Sequence, residues 1–331
     1  MRRIAYLDAV KLVTIFLVVY GHVIQMMVDG RIIGAHIWKP IYSFHMPLFM
    51  LISGYFLSSR VLAMPFGSML KAKCKQLLLP ALTCTIICCL YLFLVREKVN
   101  LRDEFIGNSW FLKTLFIYYV LFWLLKRTRL NDWLLFFMSC VFLFIVPRGS
   151  TLQVNLLWPY FFMGFFLKKY RILDMLKERW YVAVIFALMY IGTYFAQLHF
   201  DIPNYVPINI ETLQHQWHYI LLRYTVAFSG SMFVISFVSL IYKRWKNVNI
   251  LNKLASFGKY TLGVYVLQSI FVVNIFPDTF AWRVESRWMF DLLITPSLAI
   301  AFLTLCLLLI LLLSRNKVLD LLFFGGQYYN R

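Results

Sequence analysis

Ten long apolar runs follow one another along this chain, and short polar segments separate them. In hydrocarbon every backbone N–H and C=O must be satisfied internally, so a helix of about 20 apolar residues is the usual solution. The chain is 62% hydrophobic and 14% charged, against about 45–50% and about 25% in soluble domains. We therefore predict an all-α fold, a polytopic integral membrane helical bundle. Its predicted spans are residues 7–28, 40–58, 77–95, 109–126, 132–147, 154–168, 179–198, 218–242, 257–276 and 289–313.

Basic residues are distributed unevenly between the two predicted sides of the membrane. If the N-terminus is cytoplasmic, 22 of the 33 Lys and Arg residues lie in inner segments and eight in outer segments. Inner loops of membrane proteins carry this excess, so we predict cytoplasmic N- and C-termini. The net charge of +19 then reflects topology rather than nucleic-acid binding. We expect one transmembrane domain over residues 1–331, with no separate soluble domain.

Cysteine positions argue against a metal centre or a disulfide framework. The six cysteines all lie in or beside apolar runs, and no spacing matches a zinc site. We therefore expect no metal and no tightly bound cofactor.

The first predicted span carries a polar stripe. Lys11 and His22 are 11 residues apart, which is three helical turns plus about 20°, so they share a face and are separated by about 16 Å along the axis. Asp8 is placed to pair with Lys11 at i,i+3. His45 opens the second span from the outer side, at a depth similar to that of His22. An ionisable group at the bilayer centre costs about 2.5–3.5 kcal/mol, which favours a functional role.

This stripe suits a reaction that connects the two sides of a membrane. Its cationic end could hold an anionic donor, and a neutral imidazole could take a proton from a hydroxyl. Structural interpretations remain open: Lys11 could extend to the headgroups, His22 could be a packing residue and His45 an interfacial one. A basic cluster before the third span is either an inside-positive anchor or a cradle for donor phosphates. It comprises Lys71, Lys73 and Lys75.

Several motifs match one family pattern. The main ones are Leu7-Asp8-x-x-Lys11-x10-His22 and Ser43-Phe44-His45-Met46-Pro47-Leu48-Phe49, the second followed by Ile52-Ser53-Gly54-Tyr55. Weaker ones are the basic cluster before Leu77-Leu78-Leu79-Pro80, Asn108-Ser109-Trp110-Phe111-Leu112, Tyr160-Phe161-Phe162-Met163-Gly164 and the block from Phe257 to Tyr265. Together they resemble the membrane-bound acyltransferase 3 family, especially stand-alone members related to fucose O-acetylases. That family often has Arg where this chain has Lys11, and commonly has His where this chain has Gln268.

The resemblance implies an O-acetyltransferase that moves acetyl from cytoplasmic acetyl-CoA to a hydroxyl of a cell-surface polysaccharide or its lipid-linked precursor. His22 would be the catalytic base or a transient acyl carrier, and His45 would assist it. The implied donor-binding residues are Asp8, Lys11, Lys71, Lys73 and Lys75. The implied cavity residues are Ser53, Trp110 and Arg223. The implied location is the bacterial cytoplasmic membrane, with membrane lipid and polysaccharide assembly proteins among the partners.

Two other classes of function were weighed from the sequence. A multi-span transporter of a glycan, lipid or anion would also place charges inside the membrane. Transporters built from repeats show matched halves with broken helices, and no such halves are visible here. A structural membrane subunit would not need the polar stripe of the first span.

Overall fold

The computed structural model describes residues 5–27, 37–95, 100–145, 152–176, 179–206, 208–245, 247–279 and 287–329. Within these ranges every regular element is helical, which agrees with the predicted fold class. The predicted span ends at residues 28 and 147 lie outside the described residues.

The helices follow the chain with short connections. The first nine are α1 Ala5–Met27, α2 Trp38–Tyr55, α3 Ser59–Ala63, α4 Phe66–Lys73, α5 Leu79–Val95, α6 Leu101–Gly107, α7 Trp110–Arg127, α8 Asp132–Ile145 and α9 Val154–Lys169. The next nine are α10 Ile172–Leu176, α11 Trp180–His199, α12 Ile210–Arg244, α13 Asn249–Ser256, α14 Thr261–Gln268, α15 Phe276–Thr279, α16 Arg287–Met289, α17 Thr295–Leu313 and α18 Lys317–Phe324. Three π-helical turns and one 3₁₀ segment lie between them, at Cys74–Leu78, Ser269–Ile275, Phe290–Ile294 and Phe257–Tyr260.

Several of these helices have the length and composition of membrane spans. Among the described residues five qualify, and the bent pair α6 and α7, which meet at 61°, would make a sixth. The five are Tyr6–Met27, Phe66–Val95, Trp180–His199, Ile210–Arg244 and Phe290–Leu313. The protein is therefore a helical multi-pass membrane protein, while the count of ten spans and the sides of the termini stay predictions.

Two helices begin earlier than the sequence predicts. The third predicted span continues a helix that starts at Phe66, because the π-helical turn Cys74–Leu78 carries the chain directly into α5. Pro80 therefore lies inside a continuous helix, where its missing N–H removes one helical hydrogen bond just after the π-helical turn. The basic cluster consequently lies on a helix and not in a loop. A helical segment begins at Ile210, where the Asn209 side chain caps it by accepting from the Thr212 N–H at 2.8 Å. The backbone is non-helical at Gln216 (φ −139°, ψ 37°), so the part of α12 beyond this kink begins close to the predicted residue 218.

The chain divides into two compact units. The first comprises Met1–Thr14, Lys39–Ala63 and Leu121–Gly258, and the second comprises Ile15–Trp38, Met64–Val120 and Lys259–Arg331. Helices α1 and α7 contribute to both. The expectation of a single domain remains a prediction.

Aromatic packing and close backbone contact organise the first unit. Its core includes four buried rings, those of Phe122, Trp158, Phe161 and Phe162. A Cβ added to Gly54 would lie 1.8 Å from the Phe161 carbonyl oxygen, and one added to Gly164 would lie 2.0 Å from that of Leu51. The backbones of α2 and α9 therefore touch, which is the small-residue packing typical of membrane helices. This contact holds the helix that carries His45.

In the second unit the core forms where α5, α14, α17 and α18 meet. Val266, Ile310 and Phe324 are fully buried there. Helix α18 ends at Gly325 in the left-handed region (φ 66°), and a Cβ at Gly325 would lie 2.5 Å from the Lys75 carbonyl oxygen. The C-terminal helix therefore packs closely on the helix that carries the basic cluster.

Candidate functional site

The predicted site residues fall in both units. The first unit holds Asp8, Lys11, His45, Ser53 and Arg223, and the second holds His22, Lys71, Lys73, Lys75 and Trp110. A cavity shared by Ser53, Trp110 and Arg223 therefore stays a prediction.

The predicted Asp8–Lys11 pair is present in the first unit. The Lys11 Nζ lies 3.3 Å from Asp8 Oδ1 and 3.6 Å from the centre of the Phe56 ring. Asp8 is buried, and a Cβ added to Gly258 would lie 2.0 Å from its carbonyl oxygen, so the 3₁₀ segment presses directly on this turn of α1. The Lys11 side chain keeps 22% of its surface exposed. Its ammonium is thus oriented by the carboxylate and the ring.

His45 is turned into the protein and is 2% exposed. Its Nδ1 lies 2.9 Å from the Ile41 carbonyl oxygen, one turn earlier in α2. A carbonyl oxygen only accepts, so Nδ1 carries the proton and Nε2 carries the lone pair of the neutral ring. The Tyr42 ring packs on the imidazole with centres 4.6 Å apart. His45 is thus packed inside the protein, and its depth in the membrane stays a prediction.

Arg223 supports the helix that carries His45. Pro47 lies inside α2 and has no N–H, so the Ser43 carbonyl, four residues earlier, lacks its helical partner. Arg223 Nη1 donates to this oxygen at 2.5 Å, and its Nε donates to the Asn204 carbonyl at 2.7 Å. The side chain is 2% exposed and forms no ion pair among the described residues. Its charge is therefore met by backbone carbonyl dipoles.

A polar network that the sequence reading missed extends this support. The Asn204 side chain donates to the Lys39 carbonyl at 3.1 Å, and Gln197 donates to Asn204 Oδ1 at 3.0 Å. The Tyr190 hydroxyl donates to the Pro40 carbonyl at 3.1 Å. Together with the Ser43 carbonyl bound by Arg223, the carbonyls of Lys39 and Pro40 make three near the start of α2 that accept from side chains. The signal available in the sequence was the presence of Gln197 and Asn204 close to apolar runs.

Ser53 lies further along α2 and is half-buried. Within the described part of the chain its hydroxyl makes no hydrogen bond. Nothing in the first unit gives it a more specific role.

His22 meets Gln268 in the second unit. The His22 Nδ1 lies 2.8 Å from Gln268 Oε1. Gln268 is fully buried at the end of α14, directly before the π-helical turn Ser269–Ile275. Its amide nitrogen lies 3.3 Å from the Tyr265 carbonyl and 3.2 Å from Ser269 Oγ. Position 268, whose role the sequence left undecided, is therefore the residue that contacts His22.

The Asn108-Ser109-Trp110 motif packs against the same segment. The Asn274 side chain donates to the Ser269 carbonyl at 2.6 Å and to Asn108 Oδ1 at 3.3 Å. Ser109 adopts a left-handed conformation (φ 53°) at the bend between α6 and α7. Trp110 follows as the first residue of α7 and is half-buried. The motif thus contacts the π-helical turn that follows Gln268 through the hydrogen bond between Asn108 and Asn274.

The three lysines of the basic cluster do not point the same way. Lys73 is 6% exposed, donates to Gln76 Oε1 at 2.8 Å, and lies 3.7 Å from the centre of the Tyr119 ring. Lys71 and Lys75 are exposed. The prediction of one cradle built from all three is therefore wrong for Lys73, because its ammonium is used inside the fold.

A cavity of about 610 Å³ opens beside Lys75 in the second unit. It is lined by Cys74, Lys75, Leu78, Leu79, Ala81, Leu82, Phe105 and Lys113. Lys113 donates to the Asn108 carbonyl at 2.8 Å and to the Phe105 carbonyl, so it caps the C-terminal end of α6. The cavity is mainly apolar, and Lys75 and Lys113 are the charged residues that line it.

Asp291 is a buried acid that the sequence reading missed. It is 1% exposed, and its carbonyl accepts from the Tyr20 hydroxyl at 2.5 Å. Tyr20 precedes His22 by two residues on α1. An acidic residue inside the apolar run 289–313 was the signal in the sequence.

The chemistry available in these two units is proton transfer and anion binding. Each of two imidazoles has its Nδ1 held by an oxygen acceptor. Among the described residues no group of three or more His, Cys, Asp and Glu side chains could hold a metal ion. Proton transfer and anion binding inside a multi-pass membrane protein suit one class of protein in particular, the membrane group-transfer enzymes.

Comparison with known families makes this class specific. The sequence profile of the acyltransferase domain that defines the acyltransferase 3 family matches residues 4–315. The chain therefore belongs to this family and is a membrane acyltransferase. This match confirms the resemblance seen in the motifs and favours an acyltransferase over a transporter.

Curated relatives cover part of the chain. The nodulation protein NolL of Mesorhizobium japonicum is 32% identical over 172 residues, which is 48% of this chain and 46% of that protein. NolL of Sinorhizobium fredii is 31% identical over 173 residues, 48% of this chain and 47% of that protein. The chain thus matches about half the length of these relatives. No solved structure matches it.

Proposed function

We propose that this acyltransferase is an O-acetyltransferase of the bacterial cytoplasmic membrane. It would take acetyl from acetyl-CoA on the cytoplasmic side and transfer it to a hydroxyl of a cell-surface polysaccharide or its lipid-linked precursor. The observation that carries the proposal is the family match over residues 4–315, with His22 held at Nδ1 by Gln268. Acetyl-CoA is a substrate in this scheme, and no tightly bound cofactor is invoked.

His22 is the general base in the proposed reaction. Its Nε2 takes the proton of the acceptor hydroxyl while the hydroxyl oxygen attacks the thioester carbonyl. The new C–O bond forms, the C–S bond breaks, and the CoA sulfur leaves with the proton returned by the imidazolium. General-base catalysis of this type contributes about 10²- to 10⁴-fold to a rate.

The remaining site residues have supporting roles. His45, with the same nitrogen protonated, assists proton transfer or orients the acceptor. Lys11, oriented by Asp8, attracts an anionic part of the donor. Lys71 and Lys75 attract the CoA phosphates, since both are exposed. Polysaccharide assembly proteins are the partners expected to supply or receive the acceptor.

A transfer assay in membrane vesicles tests the proposal. Inverted vesicles that contain the native glycan are incubated with acetyl-labelled acetyl-CoA, and base-labile label is followed into glycan. We expect label with the unaltered protein and at least a 100-fold lower rate with His22→Ala. His215→Ala is the matched control, because His215 is exposed on α12 and should leave the rate unchanged.

Three results would count against parts of the proposal. A near-normal rate in His22→Ala would remove His22 from the mechanism. Base-labile label on the protein itself, lost in His22→Ala, would make His22 an acyl carrier instead of a base. Absence of label in glycan, with intact protein and acceptor present, would exclude acetyl as the transferred group.

A further inference from the structure

We infer that Gln268 is a positioning residue that fixes His22 in the tautomer with the proton on Nδ1 and the reactive lone pair on Nε2. The tautomer follows from hydrogen bonds alone. Its catalytic consequence rests on the proposed function.

The orientation of the Gln268 amide is set by its own neighbours. Its nitrogen faces the Tyr265 carbonyl at 3.3 Å, and a carbonyl oxygen can only accept. The nitrogen also faces Ser269 Oγ at 3.2 Å, and that hydroxyl donates its own proton to the Tyr265 carbonyl at 3.2 Å. The Tyr265 carbonyl thus requires a donor at this position of the amide, and the Ser269 hydroxyl accepts from the same group while it donates to Tyr265. The amide NH₂ lies on this side, and Oε1 faces His22.

The amide orientation then decides the state of the imidazole. Oε1 is an acceptor only, and it lies 2.8 Å from His22 Nδ1. The nitrogen that faces it must therefore carry a proton. A neutral imidazole has one N–H, so Nε2 holds the lone pair and is the atom that can take a proton from a hydroxyl.

Burial and a hydrogen bond in the following turn hold Gln268 in place. Gln268 is fully buried, and the following π-helical turn is pinned because Asn274 donates to the Ser269 carbonyl at 2.6 Å. Turns of this kind inside helices often occur at functional sites. In a buried setting an unmatched amide group is costly, so the alternative amide orientation is disfavoured: it would place two oxygen acceptors, Gln268 Oε1 and the Tyr265 carbonyl, against each other and lose the hydrogen bond between them.

An amide side chain can orient a histidine without placing a negative charge next to the imidazole. In a Ser-His-Asp triad the aspartate both fixes the tautomer and stabilises the imidazolium. Gln268 supplies the first effect only, because its side chain is neutral. Gln268→Glu should therefore keep the tautomer, since a carboxylate also accepts from Nδ1, whereas Gln268→Leu should lose it.

Solid-state ¹⁵N NMR reads the tautomer without any activity assay. The full protein, labelled with ¹⁵N-histidine and reconstituted in lipid, is compared with His22→Ala to assign the His22 signals. We expect a protonated Nδ1 and an unprotonated Nε2 in the unaltered protein and in Gln268→Glu, and a changed or mixed pattern in Gln268→Leu. A protonated Nε2 in the unaltered protein, or an unchanged pattern in Gln268→Leu, would overturn the inference.

Kinetics separate positioning from general damage. We expect Gln268→Leu to lower kcat about 10- to 100-fold with KM for acetyl-CoA unchanged, which is the usual effect of losing a group that orients a reactive ligand. Gln268→Glu should retain most of the kcat of the unaltered protein. Thr85→Val is the control for loss of a buried hydrogen bond in the same unit, since Thr85 donates to the Ala81 carbonyl at 2.9 Å and has no role in the site.

The two proposals fail in different ways. If the expected tautomer is found but no acetyl is transferred by the unaltered protein, the tautomer inference stands and the acetyl-transfer proposal falls. If acetyl is transferred through His22 but Gln268→Leu changes neither the NMR pattern nor kcat, Gln268 is not the positioning residue.

Discussion

The two histidines of the candidate site are defined by what each Nδ1 contacts. His45 donates to a carbonyl of its own helix, and His22 faces the amide of a residue 246 positions later in the chain. Both arrangements leave the proton on Nδ1. Both acceptors are neutral oxygens, so they fix the ring without adding the negative charge that would stabilise an imidazolium.

The exposed lysines of the basic cluster should contribute to binding of the donor, whereas the buried lysine should contribute to the stability of the fold. We expect Lys71→Gln with Lys75→Gln to raise KM for acetyl-CoA about 3- to 10-fold at low salt, because exposed charge pairs contribute about 0.2–1 kcal/mol each. High salt should shrink the difference through screening. Initial rates in inverted vesicles at two ionic strengths measure it.

Lys73→Met serves as the contrasting variant. It removes the ammonium that Gln76 and the Tyr119 ring contact, so it should lower the apparent Tm in detergent and leave KM unchanged. A rise in KM with Lys73→Met equal to that of the double variant would contradict the division of roles.

At the residue scale the sequence indicates which side chains are candidates for the chemistry but not which partners contact them. Lys11, His22 and His45 are recognisable because an ionisable group in an apolar run is costly in a membrane and is usually kept for a function. The Asp8–Lys11 pair also follows from helical spacing. Gln268 could not be assigned to His22, because a contact across 246 positions depends on tertiary packing. The burial of Lys73 was unpredictable for the same reason.

Among the elements, α2 depends on a side chain from α12. Pro47 removes the N–H that would bond the Ser43 carbonyl, and Arg223 supplies a donor in its place. Proline inside membrane helices is tolerated where a neighbouring group satisfies the freed carbonyl. The segment of α2 around His45 is thus stabilised by an arginine 180 positions later.

A double-mutant cycle tests this dependence. Arg223→Leu leaves the Ser43 and Asn204 carbonyls without their hydrogen-bond donor. Each buried unsatisfied carbonyl costs about 1–3 kcal/mol, so we expect a large fall in apparent Tm and in transfer rate. Pro47→Ala restores a backbone N–H opposite Ser43. In that background Arg223→Leu should cost about 1 kcal/mol less, because one carbonyl is no longer orphaned.

Thermal unfolding of the four proteins in detergent gives the coupling. Arg223→Lys is the matched variant that keeps the charge and should retain part of the stability, since one ammonium cannot reach both carbonyls in the way a planar guanidinium does. Additive effects of Pro47→Ala and Arg223→Leu would show that Arg223 does not replace the missing helical donor.

Helix type and approximate position were predictable because hydrophobic runs of this length leave few alternatives in a bilayer. Irregularities within the helices were not. The π-helical turns Cys74–Leu78, Ser269–Ile275 and Phe290–Ile294 depend on one extra residue being accommodated by neighbouring helices, which leaves no simple sequence pattern. Each lies next to a polar feature: Lys73, Gln268 and the turn that holds Asp291.

For the whole molecule, charge distribution is the property that connects orientation with function. In the predicted orientation the excess of Lys and Arg lies in inner segments, so the basic cluster would face the cytoplasm, where we expect the acyl-CoA donor. Acetyl-CoA is a polyanion and does not cross a bilayer unaided. The orientation therefore determines from which side the donor can reach Lys71 and Lys75.

Sealed vesicles of opposite orientation test this prediction. We expect labelled acetyl-CoA to support transfer in inverted vesicles and to give only background transfer in sealed right-side-out vesicles, until these are made permeable. A fluorescent protein that folds only in the cytoplasm, fused after Arg331, should be fluorescent if the C-terminus is inside. Equal transfer in intact right-side-out vesicles would place the donor site outside. A dark but membrane-inserted fusion would place the C-terminus outside, contrary to the prediction, and with a cytoplasmic N-terminus it would require an odd number of spans.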